Sequence, residues 1–234
     1  VGYENGKPRP CLIADMQFIK QMDLQVISPV PDLIDVTYER MHHALYETID
    51  KLIQEHRTTL IFTNTRSATE RVINHLKEKF PQRYASDDPS IGAHHGSLSK
   101  TYRHSIEQRL REGKLKVVVS STSLELGIDI GYIDLVILLG SPKSVARAIQ
   151  RIGRSGHRLH QTAKGRIVVL DRDDLVECAV LLKSVIEKNI DRIHIPTNAL
   201  DVLAQHIYGV AISEKVHIDA LFAMVTASYP FHTL

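Results

Sequence analysis

Three consecutive hydroxyl residues, Ser121, Thr122 and Ser123, follow the short apolar run Val117–Ser120. The run has the length and β-branched content of a buried strand, and the hydroxyls stand where a long apolar side chain would otherwise continue it. Small hydroxyl residues at a strand end allow phosphate oxygens to approach both the hydroxyls and the backbone N–H groups. The pattern indicates a phosphate contact at this point in the chain.

Arginines cluster after a second apolar run, Leu135–Leu139. They are Arg151, Arg154 and Arg158, preceded by Gln150 and separated by glycines. Arginine presents a planar fork of donors that matches two phosphate oxygens at once. A buried sheet followed by a solvated basic helix would explain each half alone, but both halves in this order favour a phosphate site.

Two further predicted strands also end in polar residues. These are Thr63, Asn64 and Arg66 after one strand, and Gly96 and Ser97 after another. A strand end that leads into a capped helix presents N–H groups and hydroxyls outward. The adjacent histidines before Gly96 lie on opposite faces of an extended chain, which is poor geometry for binding one metal, so no metal site is expected.

A parallel sheet would bring these segments together. Apolar strands alternate with amphipathic helices from residue 38 to residue 188, which predicts an α/β fold with helices on both faces of the sheet. The predicted strands are Leu60–Thr63, Ile91–His94, Val117–Ser120, Leu135–Leu139 and Ile167–Leu170, and the helices cover about 38–56, 67–80, 99–113, 144–152 and 172–188. Two short strand candidates, Cys11–Ala14 and Leu24–Ser28, lie in the irregular segment before the first helix. Ser67 and Glu70 form a capping-box pattern, and Ser99 can cap the next helix. Two more helices follow Ile190.

Composition excludes several classes of protein. Of the 234 residues, 43% are apolar, which is enough for a sizeable core. No uncharged apolar run reaches the roughly 18 residues that suggest a membrane span, and no signal-peptide pattern is present. The net charge is only +2, so nucleic-acid binding has to depend on local clusters. Two distant cysteines indicate a reduced, cytoplasmic compartment, and the start at Val1 suggests a fragment of a longer protein.

The chain lacks the residues that hold a nucleotide in a P-loop enzyme. No Gly-x-x-x-x-Gly-Lys-Ser/Thr sequence occurs, and no Asp-Glu pair for magnesium follows an apolar strand. Alone, the chain therefore should not hydrolyse a nucleotide in that manner, and a role in ATP hydrolysis requires a second domain.

Two segments resemble motifs of superfamily 2 helicases. Val117–Asp129, VVVSSTSLELGID, is similar to motif V, and Gln150–His157, QRIGRSGH, is similar to motif VI. The amino-acid sequences of these two motifs resemble those of the Lhr-type (large helicase-related) branch, close to the Ski-like helicases. The resemblance covers nearly the whole chain. It implies a lead-in from a missing first motor domain over residues 1–30, a second RecA-like domain over 31–190, and the truncated start of a winged-helix domain over 191–234.

For ATP, the resemblance implies a contribution from motif VI. Arg154 matches an arginine finger that reaches the γ-phosphate, and Gln150 and Arg151 complete the expected catalytic set. ATP and Mg²⁺ would be held mainly by the N-terminal RecA-like domain of the same protein. A fixed guanidinium stabilises the charge that develops on the transferred phosphoryl oxygens.

Four further residues are expected near the nucleotide: Gly127, Asp129, His157 and Arg158. Asp129 either lies near the ribose or orients one of the motif VI arginines. The second finger position is taken by Arg158, displaced by one residue, or by His157, or is absent. Both questions stay open at the level of sequence.

The same resemblance implies single-stranded DNA or RNA as the partner, and no membrane. The residues expected to contact the strand backbone are Thr63, Asn64, Arg66, Gly96, Ser97, Ser121, Thr122 and Ser123. Backbone contacts position a strand without reading its sequence. Only contacts to a 2′-hydroxyl would separate RNA from DNA, so that choice stays open.

The implied function is the C-terminal motor domain of an ATP-dependent helicase or translocase. One alternative is a DEAD-box-type RNA helicase, which usually has histidine where this chain has Gln150. Another is a non-catalytic nucleic-acid-binding module with the same fold, which would not require Gln150, Arg151 and Arg154.

Overall fold

The computed structural model describes residues 2–4, 6–12, 21–125, 131–156 and 162–234. The chain divides into two compact units, a larger one of Ile19–Asp191 and a smaller one that joins Val1–Phe18 to Arg192–Leu234. The strands are β1 (Tyr3–Glu4), β2 (Lys7–Pro8), β3 (Met22–Ile27), β4 (Thr59–Phe62), β5 (Ile91–His94), β6 (Val117–Ser120), β7 (Leu135–Leu139) and β8 (Ala163–Val168). The helices are α1 (Tyr38–Gln54), α2 (Arg66–Lys79), α3 (Lys100–Arg111), α4 (Val145–Ile152), α5 (Arg172–Ile186), α6 (Leu200–Ser213) and α7 (Ile218–Thr226), followed by a 3-10 helix at Tyr229–Phe231.

The larger unit is built on a parallel sheet. Within its described residues, six strands pair in the order β3-β8-β7-β4-β6-β5, and every pairing is parallel. The predicted α/β fold with a parallel sheet is therefore confirmed. The edge strand β3 lies inside the segment expected to be a lead-in, so the sheet begins earlier in the chain than the strong apolar runs do.

Alternation along the strands divides the core between the two faces. In β4, Leu60 and Phe62 belong to a buried cluster with α3, α4 and α5, whereas Ile61 belongs to a second cluster with α1 and α2. Successive residues of a strand point to opposite faces, so a continuous apolar run buries both. Because helices cover both faces of the sheet, a ligand can reach it mainly at the ends of the strands.

Two local predictions were wrong in their details. The cap of α2 is Thr65, whose Oγ1 accepts from the Ala68 N–H at 3.1 Å, not Ser67, so Arg66 is the first helical residue. Strand β8 begins at Ala163 rather than Ile167, because its first half alternates buried and half-exposed residues and lacks a continuous apolar run. Ser99 caps α3 as predicted.

The smaller unit contains α6, α7 and a short antiparallel pair, β1 with β2. Its two chain segments are joined by a hydrogen bond from the Tyr3 N–H to the Ala227 carbonyl at 2.7 Å, and the Tyr3 ring stacks on His232. Both predicted helices of this region are present. Across the described residues, no helix combines the length and apolar character needed to cross a membrane.

Candidate nucleic-acid and nucleotide interface

The carboxyl ends of four neighbouring strands place the polar segments at one edge of the sheet. Phe62 of β4 pairs with Ser120 of β6 and with Leu138 of β7, and Ser120 also pairs with His94 of β5. Because the strands are parallel, the residues after each of them leave the sheet at the same edge, where α/β proteins bind ligands. The segments that follow β4, β5 and β6 therefore lie side by side.

Arg66 and Ser97 meet at this edge from different strands. The Arg66 Nη1 donates to the Ser97 Oγ at 2.7 Å. Both residues are exposed, and so is Gly96, where an added Cβ would lie 3.7 Å from the Arg66 Nη2. The edge thus presents a guanidinium and a hydroxyl together, which suits the oxygens of a phosphate.

Thr63 is buried, and its hydroxyl is used inside the protein. It lies 3.0 Å from the Thr65 carbonyl oxygen and 2.8 Å from the Thr69 Oγ1. Only 2% of Thr63 is exposed. Its hydroxyl therefore supports the start of α2.

The three hydroxyl residues after β6 differ in accessibility. Ser121 is buried, Thr122 is exposed, and Ser123 is half-buried. The Ser123 Oγ lies 2.6 Å from the His94 Nδ1 and 2.9 Å from the His94 carbonyl oxygen. The Ser123 Oγ also lies 3.3 Å from the Ser120 Oγ, so its hydroxyl is engaged within the protein. The exposed Thr122 is therefore the hydroxyl best placed to donate outward.

His94 also connects this edge to α3. Its Nε2 lies 3.0 Å from the Glu107 Oε1 within a buried pair. Burial lowers the pKa of His94 against the opposing effect of Glu107, so the ring is neutral near pH 7. Burial alone would raise the pKa of Glu107, but hydrogen bonds with His94 and His104 help to lower it overall.

The next histidine, His95, points to the other face of the sheet, as alternation requires. Its Nε2 lies 2.7 Å from the Glu70 Oε1 on α2. Its Nδ1 is buried and has no hydrogen-bond partner among the described residues. Glu70 therefore orients His95 rather than completing a capping box.

Arg151 of α4 is buried between the segments that follow β4 and β6. Its Nε lies 3.3 Å from the Glu125 Oε2, its Nη1 lies 3.3 Å from the Asn64 Oδ1, and its guanidinium carbon lies 5.1 Å from the centre of the Phe62 ring. Burial lowers the pKa of this guanidinium, and Glu125 opposes that change. Only 2% of the residue is exposed, so it joins the segments after β4 and β6 to α4 instead of reaching outward.

Two more contacts extend this network. The Asn64 Nδ2 donates to the Ser141 carbonyl oxygen after β7 at 2.9 Å. The Arg147 Nε lies 3.3 Å from the other oxygen of Glu125. Segments from β4, β6 and β7 and the helix α4 are therefore held as one body by the polar side chains of Asn64, Glu125 and Arg151.

Gln150 and Arg154 lie on the more accessible side of this helix. Gln150 is exposed in the last turn of α4, and Arg154 is half-buried in the turn that follows. That turn is fixed because the Ser155 Oγ donates to the Ile152 carbonyl at 2.8 Å and lies 3.1 Å from the Lys164 carbonyl. The backbone beneath Arg154 is thus held by both α4 and β8.

Four predicted nucleotide-site residues, Gly127, Asp129, His157 and Arg158, lie outside the described residues. Within the described ranges, no group of three or more His, Cys, Asp or Glu side chains could hold a metal ion.

Sequence reasoning missed two carboxylates that organise the interface. It considered only Asp129, which lies outside the described residues, as a carboxylate that orients Arg151 or Arg154; Glu125 pairs with Arg151 in the part of the chain that the structure describes. The signal was present, because Glu125 is a charge between two leucines in a segment that otherwise looks buried. Glu107 gave no comparable signal, since a single carboxylate on an amphipathic helix usually faces solvent.

Family models match both parts of the chain. The helicase conserved C-terminal domain matches residues 43–158. The winged-helix domain of large helicase-related proteins matches residues 183–234.

Curated relatives align with nearly the whole chain. ATP-dependent helicase Lhr-Core of Methanothermobacter thermautotrophicus is 57% identical over all of this chain and 27% of its own length. ATP-dependent helicase Lhr-Core protein 2 of Thermococcus barophilus is 54% identical over 99% of this chain and 26% of its own. The structure of helicase Lhr from Mycobacterium smegmatis bound to ssDNA and AMP-PNP matches with a TM-score of 0.86 and 40% identity, over 92% of this chain and 28% of that one. The chain therefore spans only about a quarter of the length of these proteins.

Proposed function

The chain belongs to the Lhr-type branch of the superfamily 2 helicases, as the motif resemblance predicted, and we propose that it supplies half of the motor of an ATP-dependent translocase. In this proposal, the larger unit is the second RecA-like domain, and it acts with an N-terminal RecA-like domain of the same protein. The C-terminal part of the smaller unit, Arg192–Leu234, belongs to the winged-helix domain. The strand that passes through the motor is single-stranded DNA or RNA.

One observation carries the strand-binding half of the proposal. Exposed donors from segments after three neighbouring strands meet at one edge of the sheet, and the Arg66–Ser97 contact connects two of these segments. The Lhr structure that this chain resembles is bound to ssDNA. We assign direct backbone contacts to Arg66, Gly96, Ser97 and Thr122, and a supporting role to Asn64, Thr63, Ser121 and Ser123, whose side chains are buried or used within the protein.

The ATP half rests on motif VI. The matched relatives are named ATP-dependent helicases, and the matched structure holds AMP-PNP, an ATP analogue. Arg154, on its anchored turn, is assigned as the arginine finger, with the exposed Gln150 beside it. Arg151 positions this segment from inside the protein. Gly127, Asp129, His157 and Arg158 remain proposed nucleotide contacts, and Mg²⁺ is assigned to the first motor domain because the motif that holds it is absent here.

A salt titration of strand binding by the full-length protein tests the backbone contacts. Arg66→Ala should weaken binding to every single strand and reduce the slope of log K against log salt by about 0.7, the value for one phosphate contact on a single strand. Arg57→Ala is the matched control, because Arg57 is exposed just before β4, at the opposite edge of the sheet. Equal slopes for wild type and Arg66→Ala would show that Arg66 touches no phosphate.

A further inference from the structure

A cavity of about 490 Å³ opens between α1 and α2, beside the segment that follows β4. Thr63, Asn64 and Thr65 line one side of it, directly before Arg66 in the chain. Its other walls come from α1, from residues of α2 beyond Arg66, and from Leu139 and Leu170. The volume lies within the roughly 300–1,000 Å³ range of ligand pockets.

Aromatic rings from both helices form the far wall. The His42 ring stacks on Tyr38 with a centroid distance of 5.6 Å, and it lies 4.8 Å from Tyr46 and 4.7 Å from His75. Tyr38 is 80% exposed, which leaves its ring accessible at the mouth of the cavity. A planar ligand that enters would therefore meet further planar rings.

The charges around these rings favour a nucleic-acid backbone at the cavity beside Arg71 over one at the cavity on the other side of the rings. Burial, with the nearby His75 and Lys79, lowers the pKa of His42, so its ring is neutral near pH 7. Arg71 adds a full positive charge to the cavity, and none of the described lining residues is a carboxylate. A second cavity, of about 370 Å³, lies against the same rings, but its charged lining residues are two carboxylates, Glu39 and Glu78, and one cation, Lys79.

Asn64 gives the aromatic cavity a hydrogen-bonding group. One N–H of its amide donates to the Ser141 carbonyl, and its oxygen accepts from Arg151. The amide nitrogen carries two donors, so the second has no partner within the described residues. The same side chain thus borders the cavity and belongs to the network that holds the strand-binding edge.

We propose that the aromatic cavity receives one unstacked base of the bound single strand, an inference that rests on the proposed function. The backbone passes Arg66 and Ser97, and the base turns toward α1 and stacks on Tyr38 at the mouth. Stacking on aromatic rings accepts every base, because each has a π-face. The cavity therefore adds affinity and fixes the register of the strand without selecting its sequence.

Strands with a single missing base test this inference in the full-length protein. A series of otherwise identical single-stranded DNAs, each with one abasic site at a different position, is bound to wild type, Tyr38→Ala and Tyr38→Phe. In wild type, one position should weaken binding roughly 10-fold when its base is removed, the typical effect of losing one stacked base. In Tyr38→Ala that position should have no further effect, and Tyr38→Phe should behave as wild type. Tyr38 is exposed at the start of α1, so its replacement does not disturb the core.

Arg66→Ala separates this inference from the proposed function, because a backbone contact weakens intact and abasic strands equally. If Tyr38→Ala binds the intact strand as tightly as wild type, or weakens all strands by the same factor, the cavity holds no base. If Arg66→Ala weakens binding but Tyr38→Ala does not change the response to the abasic site, only the base-binding role of the cavity is wrong. An Arg66→Ala protein that binds normally, while the abasic position still depends on Tyr38, overturns only the backbone assignment.

Discussion

Replacing Glu125 with glutamine would test whether this carboxylate is what allows Arg151 to be buried. Glutamine keeps the shape of the side chain but removes the negative charge that lies 3.3 Å from the Arg151 Nε. The guanidinium would retain the Asn64 oxygen and the face of the Phe62 ring, neither of which carries a full charge. The substitution thus leaves a buried cation without its counter-charge.

The burial of both partners sets the expected magnitude. The side chains of Arg151 and Glu125 are 2% and 10% exposed, so water screens the pair poorly. Removing one partner of a buried pair costs about 3–5 kcal/mol of the free energy of unfolding. At roughly 2–4 °C per kcal/mol for a domain of 150–250 residues, the melting temperature should fall by about 6–20 °C. The Arg147 side chain is 46% exposed, and loss of its contact with Glu125 should cost only about 0–1 kcal/mol.

Thermal unfolding of the 234-residue chain, with hydrogen exchange of the α4 amides, measures this effect. Arg147→Gln is the matched control, since it removes the other charge that faces Glu125. Joint replacement, Glu125→Leu with Arg151→Met, should recover much of the loss because no charge is then left unpaired. If Glu125→Gln lowers the melting temperature no more than Arg147→Gln does, the Glu125 carboxylate does not stabilise buried Arg151, and the role assigned to it here is wrong.

Three other predictions concern turnover and pH. The chain alone should release no phosphate from ATP, because it lacks the phosphate-cradling loop; steady release that Arg154→Ala abolishes would contradict this. In the full-length protein, Arg154→Lys should lower turnover on the order of 10³-fold while ATP affinity and melting temperature hold, because lysine cannot bind two phosphoryl oxygens at once; reduced stability with unchanged turnover per folded molecule would make Arg154 structural. The pKa of His94 is lowered from 6.5 in the folded protein, so the unfolded chain takes up its proton first and stability should fall as pH drops below about 6.5. His94→Gln should make that fall shallower in melting curves between pH 7 and 5, and an unchanged pH dependence would count against the buried neutral ring.

Elements with strong local patterns could be predicted from the sequence. Strands β4, β6 and β7 are continuous apolar runs, and Ser99 is a standard capping residue, so each was found within about one residue of its observed position. Strand β3 was predicted only as a short strand candidate, Leu24–Ser28, within the lead-in, and the first half of β8 was missed. Polar residues interrupt both segments, and pairing with each other stabilises them. The strand order was not predicted either, because it depends on how crossovers pack and leaves no local signal.

The candidate site shows the same division between local and long-range information. Hydroxyls and arginines at the ends of β-strands are visible one segment at a time, so the sequence alone could propose the residues that contact the nucleic acid. Which of them face outward depends on partners far away in the chain, as when Ser123 bonds to His94 or Asn64 to Arg151. Type and spacing identify the residues, but burial decides which ones remain accessible to a ligand.

The buried position of Arg151 bears on how the proposed motor transmits force. Its guanidinium connects the segment after β4, which borders the strand-binding edge, to the helix that leads into Arg154. Close-packed, hydrogen-bonded elements move as one body, so the strand contacts and the proposed finger cannot shift far relative to each other. On the proposed function, ATP that draws Arg154 toward the first motor domain therefore carries the strand-binding edge with it. In this proposal, domain closure alone is enough to displace the nucleic-acid strand, without a rearrangement within this domain.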